Sequence, residues 1–291
     1  MAASGTRPPA RRRRPSARDR RTGRARRRNA RSDLGARVVA ALPAIAVALA
    51  LVGVGGWVFV LGLMVLGWIC LHELFGLFHF ANPSRLGGFL GLAALLVAAH
   101  LGGPASVLAA LVACVPLVFG LCALQPRHAG APGVAVTLLG LVWVGVALAH
   151  GVLLRDLPHG SAIVIDVLVG TFVGDTGAYL GGRMFGTRRL APSISPNKTV
   201  EGLAIGFVCG VVAVFLAGLY QDWLSTAQAL LLGAAVAAAA PVGDLFESYL
   251  KRDAGTKDTG RVFGPHGGAL DRLDAVLFTA VAGFYVWHAM L

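Results

Sequence analysis

Leu86–Pro126 reads LGGFLGLAALLVAAHLGGPASVLAALVACVPLVFGLCALQP, 41 residues without a formal charge between Arg85 and Arg127. As one α-helix it would run about 60 Å, twice the roughly 30 Å hydrocarbon core of a bilayer. Gly102-Gly103-Pro104 stands at its middle, so the run is expected as two membrane helices turning back on each other there. Upstream, Val38–His72 adds 35 uncharged residues, again too long for one crossing, with Gly53, Gly55 and Gly56 as the break. Downstream, single crossings are expected at about 131–153, 161–182, 202–220, 227–250 and 270–290. The fold class is therefore an all-α polytopic membrane protein with about nine transmembrane helices.

The composition agrees. Of 291 residues, 56% are hydrophobic and only 14% charged, with 39 Gly and a mean hydropathy of +0.71, against roughly 25% charged in a soluble domain. The net charge of +12 resides in residues 1–37, which hold 14 Arg and two Asp; from Val38 onward 12 basic side chains balance 12 acidic ones. Residues 1–33 have almost nothing apolar to bury and are expected as a disordered, Arg-rich cytoplasmic tail that anchors the topology, with adhesion to anionic membrane lipids as its alternative role. A nucleic-acid partner is not expected, because the arginines have no aromatic residues among them. Beyond the tail, 34–160 is read as N-terminal transmembrane helices and 161–291 as a catalytic transmembrane region with two cytoplasmic loops. Cys70, Cys114, Cys122 and Cys209 stand singly in apolar runs and suggest neither a disulfide nor a zinc site.

Basic residues collect on the cytoplasmic side of a membrane. With the tail inside, the inner loops of the nine-helix scheme hold Arg85, Arg127, Arg183, Arg188, Arg189, Lys198, Lys251, Arg252, Lys257, Arg261 and Arg272, and the outer loops only Arg155. The amino terminus is thus expected in the cytoplasm and the carboxyl terminus outside, in a multi-pass protein of the cell membrane.

Acidic side chains inside a membrane are expensive and mark function by default. Asp175 lies eight residues before Arg183 and Asp244 seven before Lys251, while Asp271 and Asp274 open the last helix. All four fall toward the cytoplasmic ends of their helices, beside the two basic loops. Carboxylates, lysines, arginines and glycine-rich loops at one level suit a nucleoside triphosphate held with a hard cation through oxygen ligands. Asp166 falls in the outer half of its helix, and Glu73 with its neighbour His72 is read as a buried polar pair outside the chemistry.

Two stretches carry a specific signal. One runs Ser248-x-x-Lys251-Arg252-x₄-Lys257-Asp258-x-Gly260, continues Gly264-Pro265-His266-Gly267-Gly268 and ends Asp271-Arg272-Leu273-Asp274. The other holds Gly174-Asp175-Thr176-Gly177 and Ser193-x-Ser195-Pro196-Asn197-Lys198-Thr199-Val200-Glu201-Gly202. Together they resemble the signature of the CDP-diacylglycerol synthases, or phosphatidate cytidylyltransferases, over about residues 170–275. Ala269 and Val200 depart from it, where a larger aliphatic and an aromatic residue are usual.

The resemblance implies transfer of a cytidylyl group from CTP to phosphatidate, with Mg²⁺ and an open question of a second cation. It implies Asp244 and Asp271 as metal ligands, Asp274 as a third ligand or an orienter of Arg272, and Lys257 and Asp258 in the catalytic set. Asp175, Ser195, Asn197, Lys198, Thr199, Glu201, Ser248, Lys251, Arg252, His266, Gly267, Gly268 and Arg272 are the implied substrate-binding residues. A cytidylyltransferase for another lipid phosphate is the nearest alternative, and an ion-coupled transporter the alternative of a different class. Glycine-rich helices permit close packing, which leaves a homodimer open.

Overall fold

The computed structural model describes residues 45–125, 130–256, 259–260 and 267–291. The tail at 1–33, and with it Lys257, Asp258 and His266, lies outside the described residues. A short apolar helix α1 (Ile45–Val54) is followed by α2 (Gly56–Leu77) and α3 (Arg85–Ala123). Next come α4 (Gly130–Gly140) and α5 (Val146–Asp156), made continuous by a π-helical segment at Leu141–Gly145. The chain continues through α6 (Gly160–Phe185), β1 (Arg189–Ala191), β2 (Ser195–Thr199), α7 (Val200–Gly218), α8 (Thr226–Asp253) and α9 (Leu270–Met290). Seven of these helical runs, with α4 to α5 taken as one, are long and apolar enough to cross a membrane.

Large apolar side chains face outward along them: Val65 is 54% exposed, Leu108 63%, Phe119 65% and Val208 59%. In water such a surface would aggregate; facing lipid it is satisfied. Inside, Leu71, Leu92, Leu95, Leu141, Leu154 and Phe284 belong to a continuous apolar core.

Both expected breaks are present. Gly55 has φ of 67°, a left-handed conformation that ends α1 and lets α2 set off afresh. Gly103, with φ of 73°, interrupts α3, and Pro104 follows it directly. The two halves of α3 then lie side by side: a methyl group on Gly91 would stand 3.1 Å from Sγ of Cys114, and one on Gly87 3.5 Å from Val118. Residues 91 and 114, like 87 and 118, sum to the same number, which is the mark of an antiparallel hairpin centred between residues 102 and 103.

The hairpin turn belongs to one end of the bundle, where His100 bonds Asp156 at 2.8 Å. At that end Arg155 donates through Nε to the Val52 carbonyl at 2.6 Å, so the one basic residue assigned to the outer loops covers the carbonyl end of α1. Trp287 donates to the Pro158 carbonyl at 2.9 Å, and His159 stacks on Trp223. Asp166 is also here, buried, with both oxygens accepting from Gln221 Nε2 at 3.0 Å. The two motif stretches occupy the opposite end.

An element the all-α expectation lacked is the small antiparallel pair β1–β2, with Arg189 opposite Thr199 and Ala191 opposite Ser195. Three- and five-residue strands containing Pro196 leave too little alternation to be read from sequence.

Candidate active site

Two glycine-mediated helix contacts bring the motifs together. In α6 and α7, glycines recur every fourth residue at 170 and 174 and at 202, 206 and 210, so each helix presents bare backbone to the other. A methyl on Gly174 would lie 3.4 Å from the Gly206 carbonyl oxygen, and one on Gly206 would lie 2.8 Å from that of Gly174. Asp175 and the β1–β2 hairpin that leads into α7 are thereby set side by side. In α8, Gly243 packs on the backbone of Asp274 and Ala275, where an added methyl would stand 3.0 Å from the Ala275 Cα. That contact faces Asp244 and Glu247 toward Asp271 and Asp274.

The hairpin then reaches across to α8. Lys198, on β2, forms an ion pair with Asp244 at 2.5 Å, both side chains being partly accessible to solvent. Ser248, one turn on from Asp244, donates to its Oδ1 at 3.5 Å. Arg252 donates through Nε to the Ile194 carbonyl at 3.2 Å, fastening the hairpin turn to the end of α8. Asp175 is exposed and within electrostatic range of both Asp244 and Lys198. Ser195 is half-buried and Asn197 exposed on the same hairpin.

Deeper, Lys251 donates to Glu247 at 2.6 Å and to Asp271 at 2.9 Å, coupling the last turn of α8 to the first turn of α9. Asp271 also accepts the backbone N–H of Gly268 at 2.7 Å and of Thr259 at 3.1 Å. Gly267 reaches this arrangement with φ of 86°, and a methyl there would stand 2.9 Å from Oδ2 of Asp271, so only glycine fits. Asp274 lies on the same face as Asp271, its Oδ1 accepting the Ala275 N–H at 2.8 Å, within electrostatic range of Asp244 and Glu247. Arg272 is exposed at the start of α9.

Two of the implied substrate-binding residues are engaged in shaping the loop. Glu201 accepts from the N–H and hydroxyl of Thr187 at 3.0 and 2.8 Å and from Nε of Arg188 at 3.1 Å, closing the segment before β1. Thr199 caps α7 by accepting the Gly202 N–H at 3.1 Å.

The site also contains acids that the motif reading passed over. Glu247, 1% exposed, pairs with Lys251, while its Oε1 is buried and meets no hydrogen-bond partner among the described residues. Its position at i+3 from Asp244 and i−4 from Lys251 was the available signal. Glu73 is not half of a pair with His72, which is exposed; it is buried against Leu270, with the Leu270 N–H donating to it at 2.9 Å.

Among the described residues no three His, Cys, Asp or Glu side chains converge closely enough to form a ready metal cage. Lysines stand between the carboxylates instead: Lys198 on Asp244, Lys251 on Asp271. The donor chemistry nevertheless suits a hard cation. Asp175 and Asp274 crowd Asp244, and Glu247 keeps a buried oxygen unpartnered among the described residues. Cys70, Cys114 and Cys122 are buried free thiols and Cys209 is a half-buried one.

Residues 35–290 match the cytidylyltransferase family. The chain is 30% identical to a phosphatidate cytidylyltransferase of Synechocystis over 283 residues, 86% of this chain and 94% of that protein. It is 32% identical to one from Staphylococcus aureus over 248 residues, covering 83% and 94%. A Mycobacterium bovis phosphatidate cytidylyltransferase is 36% identical over 169 residues, and there the chain spans about half the length of its relative, 55%.

Proposed function

Because the chain belongs to the cytidylyltransferase family, we propose that it joins CTP and phosphatidate, giving CDP-diacylglycerol and pyrophosphate. The observation that carries this reading is the meeting of Lys198 with Asp244 and of Lys251 with Asp271 at one end of a bundle of membrane-length helices. A phosphate at the lipid surface and a nucleotide from the aqueous phase both reach that level.

In the reaction an oxygen of the phosphatidate monoester attacks the α-phosphorus of CTP. A new P–O–P linkage forms, the bond from the α-phosphorus to the bridging oxygen breaks, and pyrophosphate departs with the electron pair. The attacking oxygen is already anionic at neutral pH, so no protein nucleophile is required. What the protein must supply is charge neutralisation and in-line alignment. Lys198, Lys251, Arg252 and Lys257 would neutralise the triphosphate and the lipid phosphate, and Ser195 and Asn197 would donate from the hairpin. Asp244 and Asp271 would hold Mg²⁺, with Asp274 beside them; bound there, the ion would offset phosphate charge as the transition state forms. The lysines now on these carboxylates would then be released toward the phosphates.

The reading places nine crossings in the membrane, with the amino terminus and the site in the cytoplasm and the carboxyl terminus outside. The α3 hairpin supports two of the crossings, and the short apolar helix α1 would belong to the first.

Full-length protein purified in detergent, given labelled CTP and defined lipid phosphates, is expected to form CDP-diacylglycerol only when Mg²⁺ is present. Undiminished product in EDTA would remove the metal from the reading. Equal or faster reaction of an ether-linked lipid phosphate would shift the substrate to the nearest alternative.

A further inference from the structure

Glu73 belongs to α2, in the part of the chain that carries neither motif, and its partner Leu270 is 197 residues away. It is 4% exposed. Oε2 accepts the N–H of Leu270, the first residue of α9, at 2.9 Å and faces the Thr259 hydroxyl at 3.5 Å. A methyl group on either Gly260 or Gly268 would run into this carboxylate. The side chain therefore stands between the two described limbs of the second motif, 259–260 and 267–270.

Those same limbs hold Asp271. The Gly268 N–H donates to its Oδ2 at 2.7 Å and the Thr259 N–H at 3.1 Å. The two limbs that Glu73 contacts thus also border or bond Asp271, whereas Glu73 makes no bond to Asp271 itself. A buried carboxyl oxygen is costly unless it is hydrogen-bonded. Here Oε2 accepts the first N–H of α9, which ties the acid to the point where Asp271 begins.

Resting on the reading of Asp271 given above, we propose that Glu73 is a positioning residue for the cytidylyl transfer: it clamps Thr259-Gly260 and Gly268-Leu270 around the Asp271 carboxylate, so that the N-terminal helices supply part of the active site. The reactive groups stay on α8, α9 and the hairpin; Glu73 acts through the backbone that presents one of them.

The test uses full-length protein with Glu73→Leu, close in volume but without an acceptor, and Glu73→Gln, which keeps one. Gly260→Ala approaches from the other side, by pushing a methyl at the carboxylate while leaving the sequence of α2 unchanged. Hydrogen–deuterium exchange is followed by mass spectrometry on metal-free protein, and kcat and KM are measured with CTP and phosphatidate. Glu73→Leu and Gly260→Ala are expected to raise exchange in the segment 267–273 several-fold, with the other helices protected as in the parent. Their kcat should fall at least about tenfold while KM for CTP changes less than about threefold. Glu73→Gln should retain parental exchange and most of kcat. Parental exchange at 267–273 in both Glu73→Leu and Gly260→Ala would overturn the proposal, as would a Glu73→Gln as impaired as Glu73→Leu. General loosening of all helices in both disruptive variants would also overturn it, by reducing Glu73 to packing. If the parent itself makes no CDP-diacylglycerol, the reaction fails as a reading, and the exchange result still decides what Glu73 does.

Discussion

Asp271 receives two backbone N–H groups and one ammonium, each fixed by a different stretch of chain: Thr259, Gly268 and Lys251. Replacing it with Asn keeps the size and one acceptor but removes the charge that Lys251 and a hard cation require. Turnover is expected to fall about 100- to 1000-fold, the usual scale for losing stabilisation of transition-state charge. Asp166→Asn is the internal comparison, since that acid is buried at the opposite end against Gln221. It should keep most activity while losing about 1–2 kcal/mol of stability as its bonds are rearranged. Initial rates and thermal unfolding on both variants check this, and equal loss of turnover in the two would mean that Asp271 has no special role. Asp271, Asp244, Lys198 and Lys251 were legible because the motifs fix their identity and spacing. Glu73 was not, since a contact across 197 residues leaves no trace in local order, and the neighbouring His72 suggested a pairing that the turn of the helix prevents.

The helices themselves were legible wherever an apolar run ended in a charge or a glycine pair, as at Gly55 and Gly103. Their partners were less so, because a glycine says that something comes close without saying what. For α6 and α7 the answer is each other, through backbone contacts at Gly174, Gly206 and Gly210. This contact holds Asp175 beside the hairpin that bears Lys198. Gly206→Val would force a branched side chain against the Gly174 carbonyl and Ala178, and overpacking of this kind costs about 1–3 kcal/mol. The variant should unfold at a lower temperature in detergent and lose activity even when folded, as Lys198 is displaced from Asp244. Gly53→Ala, where an added methyl would meet nothing within 4 Å, should match the parent in both measurements. A Gly206→Val protein with parental stability and rate would show that α6 and α7 do not depend on this close approach.

At the scale of the whole molecule the two ends of the bundle differ in chemistry. One end carries Arg155, engaged with the carbonyls of α1, together with His159 stacked on the half-buried Trp223, tryptophan being enriched at membrane interfaces. The other carries the β1–β2 hairpin, Lys198, Arg252 and the acids they meet. CTP is an aqueous, highly charged substrate, so the reaction proposed here requires the second end to face the cytoplasm. Pro158 is exposed at the first end and Pro192 in the turn between β1 and β2, so a cysteine at either would be open to reagent. Among the native cysteines three are buried and Cys209 is half-buried on α7, which keeps background labelling low. In intact cells a membrane-impermeant maleimide is expected to label Pro158→Cys and to leave Pro192→Cys untouched until the membrane is opened. Labelling of Pro192→Cys from outside, with Pro158→Cys protected, would invert the molecule and put the lysine–carboxylate pairs where no CTP is available. That one result would set aside both the nine-crossing arrangement and the reaction assigned to this end, whatever the agreement of the motifs.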